Sequence, residues 1–307
     1  MEQEERTYLE DLKVIHRRRL QILERKKAHF GINTPPEIEI EIEDITQSIK
    51  DIDDRLHRTR AVPVDLLSYT AIAPRDSTTI QLDWTAHFSG GVASEQIWKQ
   101  HLIPDLYNLY KRVSESSAQP ALVLRQRATI ASAVAFGAVF PHSSGIDLWI
   151  EQRTDDREVQ WWAAQEDTPT IVGHLLNELP SPIACDGDGT DTLIEVAVAQ
   201  DIGTAVMQWR QAQPYRFADH IRFVPNIGSD RTSVPDAAHA LAMARQIAAA
   251  CVAAHAARPT GTIHLIVSAP FALAVMIGRK LNACGVIQCH EFNREGKTYT
   301  PAWKMTV

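Results

Sequence analysis

The chain of 307 residues contains no stretch of 18 consecutive apolar residues, so its sequence offers no evident membrane-spanning run. Its charged opening, MEQEERTYLEDLK, lacks the apolar core of a secretion signal, and the cytoplasm is the expected compartment. Only four cysteines occur, Cys185, Cys251, Cys284 and Cys289, none in CxxC spacing, so reduced thiols are expected. No HExxH, GxSxG, GxxxxGKS/T or GxGxxG motif appears, which removes the common signatures of zinc hydrolysis, serine esterases, phosphate loops and dinucleotide binding. The segment CDGDGTD at 185–191 has the alternating acids of a calcium loop, but it lacks the closing glutamate and a preceding helix, so a solvated turn is expected. His239 and His255 stand several turns apart on one predicted helix, too far to share an ion. No metal and no cofactor are therefore expected. An excess of basic charge is also missing. The net charge of -7 and pI near 5.9 argue against a protein that coats long nucleic acid, while leaving room for a small anionic ligand held by a few local donors.

What the chain does contain is a segment written twice. ALVLRQRATIASAVAFG at 121–137 lies over TIHLIVSAPFALAVMIG at 262–278 without a gap, at a constant offset of 141 residues. Ala128, Ala131, Ala133, Val134 and Gly137 fall on Ala269, Ala272, Ala274, Val275 and Gly278. Each copy reads as a strand, a short polar turn and the start of an alanine-rich helix. The same offset lays GIDLWIEQ (145–152) over VIQCHEFN (286–293), a second strand on a second strand. Two βαβ units in one chain suggest a pseudo-symmetric ligand, because strand-to-helix turns leave free backbone N–H groups where α/β sheets hold phosphate.

Ahead of this region, residues 6–58 read as an antiparallel helical hairpin. Ile38, Ile42, Ile45, Ile49, Ile52 and Leu56 form a heptad stripe, and Leu9, Leu12, Leu20, Leu23 and Phe30 form the facing one. In the intervening GINTPPE, Gly31 is expected to close the first helix, Thr34 to cap the second, and the prolines to occupy its opening turn. The first helix is crowded with Arg17, Arg18, Arg19, Arg25, Lys26 and Lys27, and the second with Glu37, Glu39, Glu41, Glu43, Asp44, Asp51 and Asp53. Antiparallel pairing sets these groups near one another. Such a hairpin buries one face of each helix, so its outer surface suits a docking module.

Beyond the linker HRTRAVPV, TTIQLDWTAHF predicts a strand over 78–88, and Glu95 to Val113 an amphipathic helix. Strands are expected at Trp161–Trp162, at 193–200 and in HIRFVPN, with a short helix between the latter two and a long one over 235–257. At 45% apolar residues the chain can bury a core of two or three lobes, and strand-and-helix alternation around mostly parallel sheets makes it an α/β protein.

The candidate binding residues cluster at the two strand-to-helix turns. In the first, Arg125, Gln126, Arg127, Ala128 and Thr129 place two guanidinium groups at a helix start; Arg127 aligns with Ser268, and Arg125 suits phosphate or a structural ion pair equally. In the second, the Ser268 hydroxyl and the N–H groups of Ala269 and Phe271 converge, with Pro270 in the first turn, where its missing N–H costs nothing. Ser268 has no local base and is not expected to be a nucleophile. Phe271, Trp161 and Trp162 offer stacking surfaces; adjacent tryptophans on a strand face opposite ways, so one, taken as Trp162, is expected at the pocket. Phe88 and Gln200 complete the expected lining.

The order LDWTAHF, IWKQHLIPDLY, the first repeat, the WW strand, and TIHLIVSAPFALAVMIGRKLNACGVIQCHEF followed by YTPAW resembles the SAVED domain of bacterial antiphage systems over roughly residues 65–307. The resemblance implies two pseudo-symmetric Rossmann-like (CARF-like) units, at 65–185 and 186–307, preceded by the α-helical hairpin at 1–60. It implies binding of a cyclic oligonucleotide, a cyclic oligoadenylate, made by a CRISPR complex or a cyclic-nucleotide synthase. The hairpin is similar to effector-associated modules of bacterial conflict proteins, which recruit by like-with-like association. Better-known members carry a fused nuclease, TIR or protease domain, and no residues remain for one here. A stand-alone sensor and adaptor is therefore expected. It would assemble head to tail on binding its ligand and recruit a separate effector, with neither membrane nor long nucleic acid as partner. The alternative is a ring nuclease-type enzyme in which Arg127, Ser268 or His264 positions a ribose hydroxyl against a phosphate.

Overall fold

The computed structural model describes residues 2–74, 76–116, 120–153, 159–165, 171, 173, 175–180, 185 and 189–307. Asp186 to Asp188 of the calcium-like segment lie outside the described residues. The chain divides into two compact units, Met1–Val62 and Pro63–Val307.

The first unit is the hairpin. Helices α1 (Glu2–Phe30) and α2 (Pro36–Arg60) flank a 3-10 turn, Gly31–Asn33, in which Gly31 takes the left-handed φ of +57°. Thr34, expected to cap α2, faces the other way: its hydroxyl donates to the carbonyls of Gly31 (2.7 Å) and Lys27 (3.4 Å), closing α1. The N-cap of α2 is Pro35, followed by Pro36 in the first turn, where no donor is lost. Leu9, Leu23, Ile45, Ile52 and Leu56 are buried along the seam, whereas Phe30, at the tip, is exposed. Opposite charges meet across the hairpin at Lys13–Asp53, Arg19–Glu41 (2.6 Å), Lys27–Glu39 (2.8 Å), Arg55–Glu5 (2.9 Å) and Arg60–Glu10 (3.6 Å). Solvent-exposed pairs contribute only ~0–1 kcal/mol each, so they fix antiparallel register while the apolar seam supplies most of the stability.

The second unit contains two sheets of matching order. The first runs β2-β1-β3-β4-β5, with β1 at Val62–Leu67, β2 at Ile80–Asp83, β3 at Ala121–Arg127, β4 at Asp147–Arg153 and β5 at Val159–Ala163. The second runs β11-β10-β9-β7-β8-β6, with β6 at Leu176–Pro180, β7 at Asp191–Ala197, β8 at Phe217–Pro225, β9 at Thr262–Ser268, β10 at Val286–Asn293 and β11 at Thr298–Thr306. Read from the other end, the first sheet is the second without its edge strand β6. In both, the final strand (β5, β11) is antiparallel to its neighbour and the preceding pair (β3 with β4, β9 with β10) is parallel. The repeat is therefore structural: β3 and β9 coincide at the offset of 141, as do helices α5 (Ile130–Val139) and α8 (Phe271–Lys280).

Local chemistry accounts for two departures from the sequence expectation. The strand predicted over 78–88 stops at Asp83, whose carboxylate accepts from the N–H (3.0 Å) and hydroxyl (2.7 Å) of Thr85 and turns the chain into a 3-10 segment, Thr85–Phe88. The predicted helix from Glu95 comprises α3 (Glu95–Ile97), a π-helical turn at Trp98–Leu102 and α4 (Ile103–Ser116). Pro104, just beyond the turn, has no N–H to donate back along the helix, the ordinary cause of such a ladder shift. The remaining helices are α6 (Gly203–Ala212) and α7 (Ala237–Ala257). Among the described residues, α7 alone is long and apolar enough to cross a membrane, but it connects β8 to β9 and buries Leu241, Met243 and Ile247 within this unit.

The two halves interlock through α5 and α8. A Cβ added to Gly137 would lie 2.1 Å from the Val275 carbonyl oxygen, and one added to Gly278 would lie 2.1 Å from that of Val134. Since Val134 and Val275 are themselves repeat mates, these contacts exchange under a pseudo-two-fold axis at the crossing. The backbones touch because neither glycine carries a side chain, and nearly every residue of both helices is buried there. Gly137→Ala and Gly278→Ala are each expected to destabilise the unit by roughly 2–3 kcal/mol or more, read as a lower denaturant midpoint. A midpoint unchanged in either variant would contradict the close crossing.

In the second sheet His264 and His290 are both buried, their rings stacked at 5.2 Å with His264 Nδ1 3.0 Å from His290 Nε2. Burial pushes His264 down to about 4 and His290 down to about 3, so both stay neutral in the folded protein. An unfolded chain protonates them near pH ~6.5, so below that value the unfolded state binds more protons and stability falls as the pH drops towards about 4. The midpoint in urea is expected to fall from about pH 7 to about pH 4.5, and to fall less in the double variant His264→Gln, His290→Gln. Equal slopes in the two proteins would remove the pair as the cause.

Candidate functional site

The β3–α5 and β9–α8 turns are built alike. The Arg127 carbonyl accepts from the N–H groups of Ser68 (2.9 Å) and Tyr69 (3.1 Å), and its repeat mate Ser268 accepts from Val198 (2.8 Å) and Ala199 (2.9 Å). Each helix start then receives a side chain from the opposite half. Ala131 N–H in α5 donates to Glu291 Oε2 of β10 at 2.9 Å, and Ala272 N–H in α8 donates to Gln152 Oε1 of β4 at 3.1 Å. Thr129 caps α5 with its hydroxyl, accepting from the Ser132 N–H at 3.1 Å.

These partners change the electrostatics expected of the two helix starts. The α5 start already carries an acid. Burial pushes Glu291 above the ordinary carboxylate range, against the opposing pull of the Thr129 hydroxyl and the Ala131 and Phe292 amides. A second anion about 4 Å away either meets a repulsion on the order of 4 kcal/mol from the ionised Glu291, at an effective dielectric near ~20, or must drive onto it the proton that burial already favours. A helix terminus returns only ~0.3–1 kcal/mol to a nearby anion, less than the repulsion from an ionised Glu291. The α8 start is held by a neutral amide and carries no such penalty.

Two cavities flank the β9–α8 turn, and Ala269 lines both. One, of about 680 Å³, is bounded by Tyr69, Ile130, Gln200, Asp201, Gln208, Ser268, Glu291, Phe292, Arg294, Glu295 and Lys297, among others. The other, of about 550 Å³, is bounded by Gln152, Arg153, Trp162, Ala199, Arg231, Thr232, Val234, Pro235, Ala269 and Pro270. Of the residues expected to bind the ligand, Ser268, Ala269, Pro270, Gln200 and Trp162 line these cavities.

The other candidates are placed differently. Arg125 is buried with its Nε and Nη2 both 2.5 Å from the carboxylate of buried Asp65 in β1, so of its two predicted roles the structure places it in the ion pair. Gln126 is half-buried and Arg127 exposed, and neither lines either of these two cavities. Ala128 and Thr129 are buried, with the Thr129 hydroxyl committed to the helix cap. Phe271 is buried as the first residue of α8 rather than offered for stacking. Phe88 is buried edge-on to Trp98 at 6.1 Å and lines neither cavity. His264, considered for ring cleavage, lies in the core beside His290. No group of three or more potential metal ligands converges among the described residues.

Sequence reasoning did not select Gln152, Arg153, Arg231, Glu291 or Arg294. A signal for two of them was present: one further residue of the repeat, GIDLWIEQR over VIQCHEFNR, aligns Arg153 with Arg294. For the buried pair the outcome of mutation is specific. Arg125→Met leaves Asp65 uncompensated in the core and is expected to cost about 3–5 kcal/mol of stability, measured by denaturant titration; a loss under about 1 kcal/mol would show that Asp65 does not depend on it.

A family model for the SAVED domain, described as the SMODS-associated and fused to various effectors sensor domain, matches residues 106–305, more than half of the chain. The chain belongs to the SAVED family. Its fold is similar to that of a Cap4 SAVED/CARF-domain containing receptor from Acinetobacter baumannii, solved with the cyclic trinucleotide 2′3′3′-cAAA: TM-score 0.66, 15% identity, 87% of this chain and 56% of that one. The same receptor with 3′3′3′-cAAA gives a TM-score of 0.65 at 15% identity with the same coverage. A Moraxella osloensis Cap4 SAVED/CARF-domain containing receptor gives 0.55 at 16% identity, over 88% of this chain and 59% of that one. The SAVED chain therefore spans little more than half the length of these receptors, and at such identity the likeness is one of fold. A comparison with curated proteins finds no match.

Proposed function

We propose that this SAVED protein senses a cyclic oligonucleotide, a cyclic oligoadenylate, in bacterial antiviral defence and acts in the cytoplasm as an adaptor rather than an enzyme. The observation that carries the reading is the pair of cavities meeting at the Ser268–Pro270 turn in a chain of a sensor family. Together they offer the mixed wall that a ring of nucleotides requires: aromatic and apolar surface from Tyr69, Phe292 and Trp162, amides from Gln152, Gln200 and Gln208, and cations from Arg153, Arg231, Arg294 and Lys297. The fold likeness to Cap4 receptors solved with cyclic trinucleotides supports the ligand class.

Ligand binding then favours head-to-tail association of copies, and the hairpins at 1–60, gathered into an array, recruit a separate effector of protease, TIR or nuclease type. Raised effective concentration rather than new chemistry drives activation. The exposed apolar residues of the hairpin, among them Ile15, Ile22 and Ile40, support a docking role for its outer surface.

The test is calorimetry and light scattering of the full chain against a panel of 2′3′3′-cAAA, 3′3′3′-cAAA and larger cyclic oligoadenylates. Saturable binding to at least one ring with growth in particle size is expected. Binding to none would overturn the sensor reading, binding without growth would remove the assembly step, and linear products at catalytic turnover would move the protein to the ring-cleaving class.

A further inference from the structure

The two cavities are unequal in charge, although the repeat relates the elements around them. The 550 Å³ cavity beside Trp162 is lined by Arg153 and Arg231, and no carboxylate appears among the described residues lining it. The helix start at its edge, Pro270 and α8, is capped by the neutral Gln152. Arg153 has its Nε 3.8 Å from Glu151, a distance that leaves room for competition; the neighbouring Asp230 carboxylate, which does not line the cavity, is fixed on its loop by the Thr232 N–H (2.8 Å) and hydroxyl (2.7 Å) and keeps its charge near Arg231. The 680 Å³ cavity also has two cations, Arg294 and Lys297, but they share it with Asp201, Glu291 and Glu295. Of these acids, Asp201 is paired with Arg222, and Glu291 occupies the α5 start.

Resting on the sensor reading above, we infer that the site is polarised: the cavity beside Trp162 is the phosphate seat, with Arg153 and Arg231 as its cations. The cavity beside Glu291 receives an uncharged part of the ligand, a base with its ribose, against Tyr69, Phe292 and the amides of Gln200 and Gln208. Two guanidinium groups lining one cavity can grip phosphodiester oxygens in forked geometry, whereas a phosphate in the other cavity would lie among carboxylates. A base brings donors that a carboxylate accepts, so the acids exclude one part of the ligand and suit the other.

The experiment is calorimetry of the full chain with 3′3′3′-cAAA, or with whichever ring of the panel binds more tightly, at several salt concentrations. Arg153→Ala and Arg231→Ala are each expected to weaken binding about tenfold or more and to flatten its salt dependence. Arg294→Ala is expected to weaken it distinctly less, and Arg153→Lys to recover part of the loss because charge returns without the fork. Thermal melts establish folding, and Arg153→Gln or Arg231→Gln, which also remove the charge, stand in where an alanine variant does not fold. Losses within about threefold at both Arg153 and Arg231, or a loss at Arg294 equal to theirs, would overturn the polarised assignment while the sensor reading stands. No binding by the unaltered protein to any ring would overturn both.

Discussion

The contact on which the α/β unit depends is the backbone crossing of α5 on α8 at Gly137 and Gly278. Two helices that each bury almost every residue need a surface without protruding side chains at their nearest approach, and only glycine permits it. That closeness brings the end of β10 to the start of α5, and the end of β4 to the start of α8, so that Glu291 and Gln152 reach across. It also sets the two cavities on either side of the β9–α8 turn. The site follows from the crossing, and the crossing from two small residues repeated at a fixed interval.

Burial and charge then divide the work between the halves. In the first half, Asp65 and Arg125 spend their charges on each other beneath the surface, and the buried Thr129 and Ser132 hydroxyls stand 2.9 Å apart around the α5 cap. In the second, Glu195 is buried between His220 and Arg222. Charges that are paired inside hold the sheets in register, while Arg153, Arg231, Arg294 and Lys297 stand in the walls of the cavities. Trp162 and its repeat mate Trp303 show the same division: the Trp303 indole donates to the Ala131 carbonyl within the core, while Trp162 faces a cavity.

Much of this architecture was legible in the sequence, for a physical reason. A helix that must cross another closely selects the same small residues in both copies, so the alanines and glycines of α5 and α8 recur at matching places. The hairpin was legible because a heptad stripe has few alternative packings. The short strand β2 and the position of Phe88 were not, because Asp83 ends the strand by a local hydrogen bond that competes with sheet pairing. Nor was the choice made by Arg125, whose partner Asp65 lies 60 residues away, with nothing local to mark it. The caps Glu291 and Gln152 were hidden for the same reason, since each serves a helix of the other half.

That exchange of caps bears on how such a protein arises. A chain with one half alone would leave its helix start without the side chain that satisfies it and would expose the face that meets the other glycine. The natural remedy is a second copy supplying both, a homodimer with identical seats. In one polypeptide each seat is free to differ from the other, and here one is held by a carboxylate and the other by an amide.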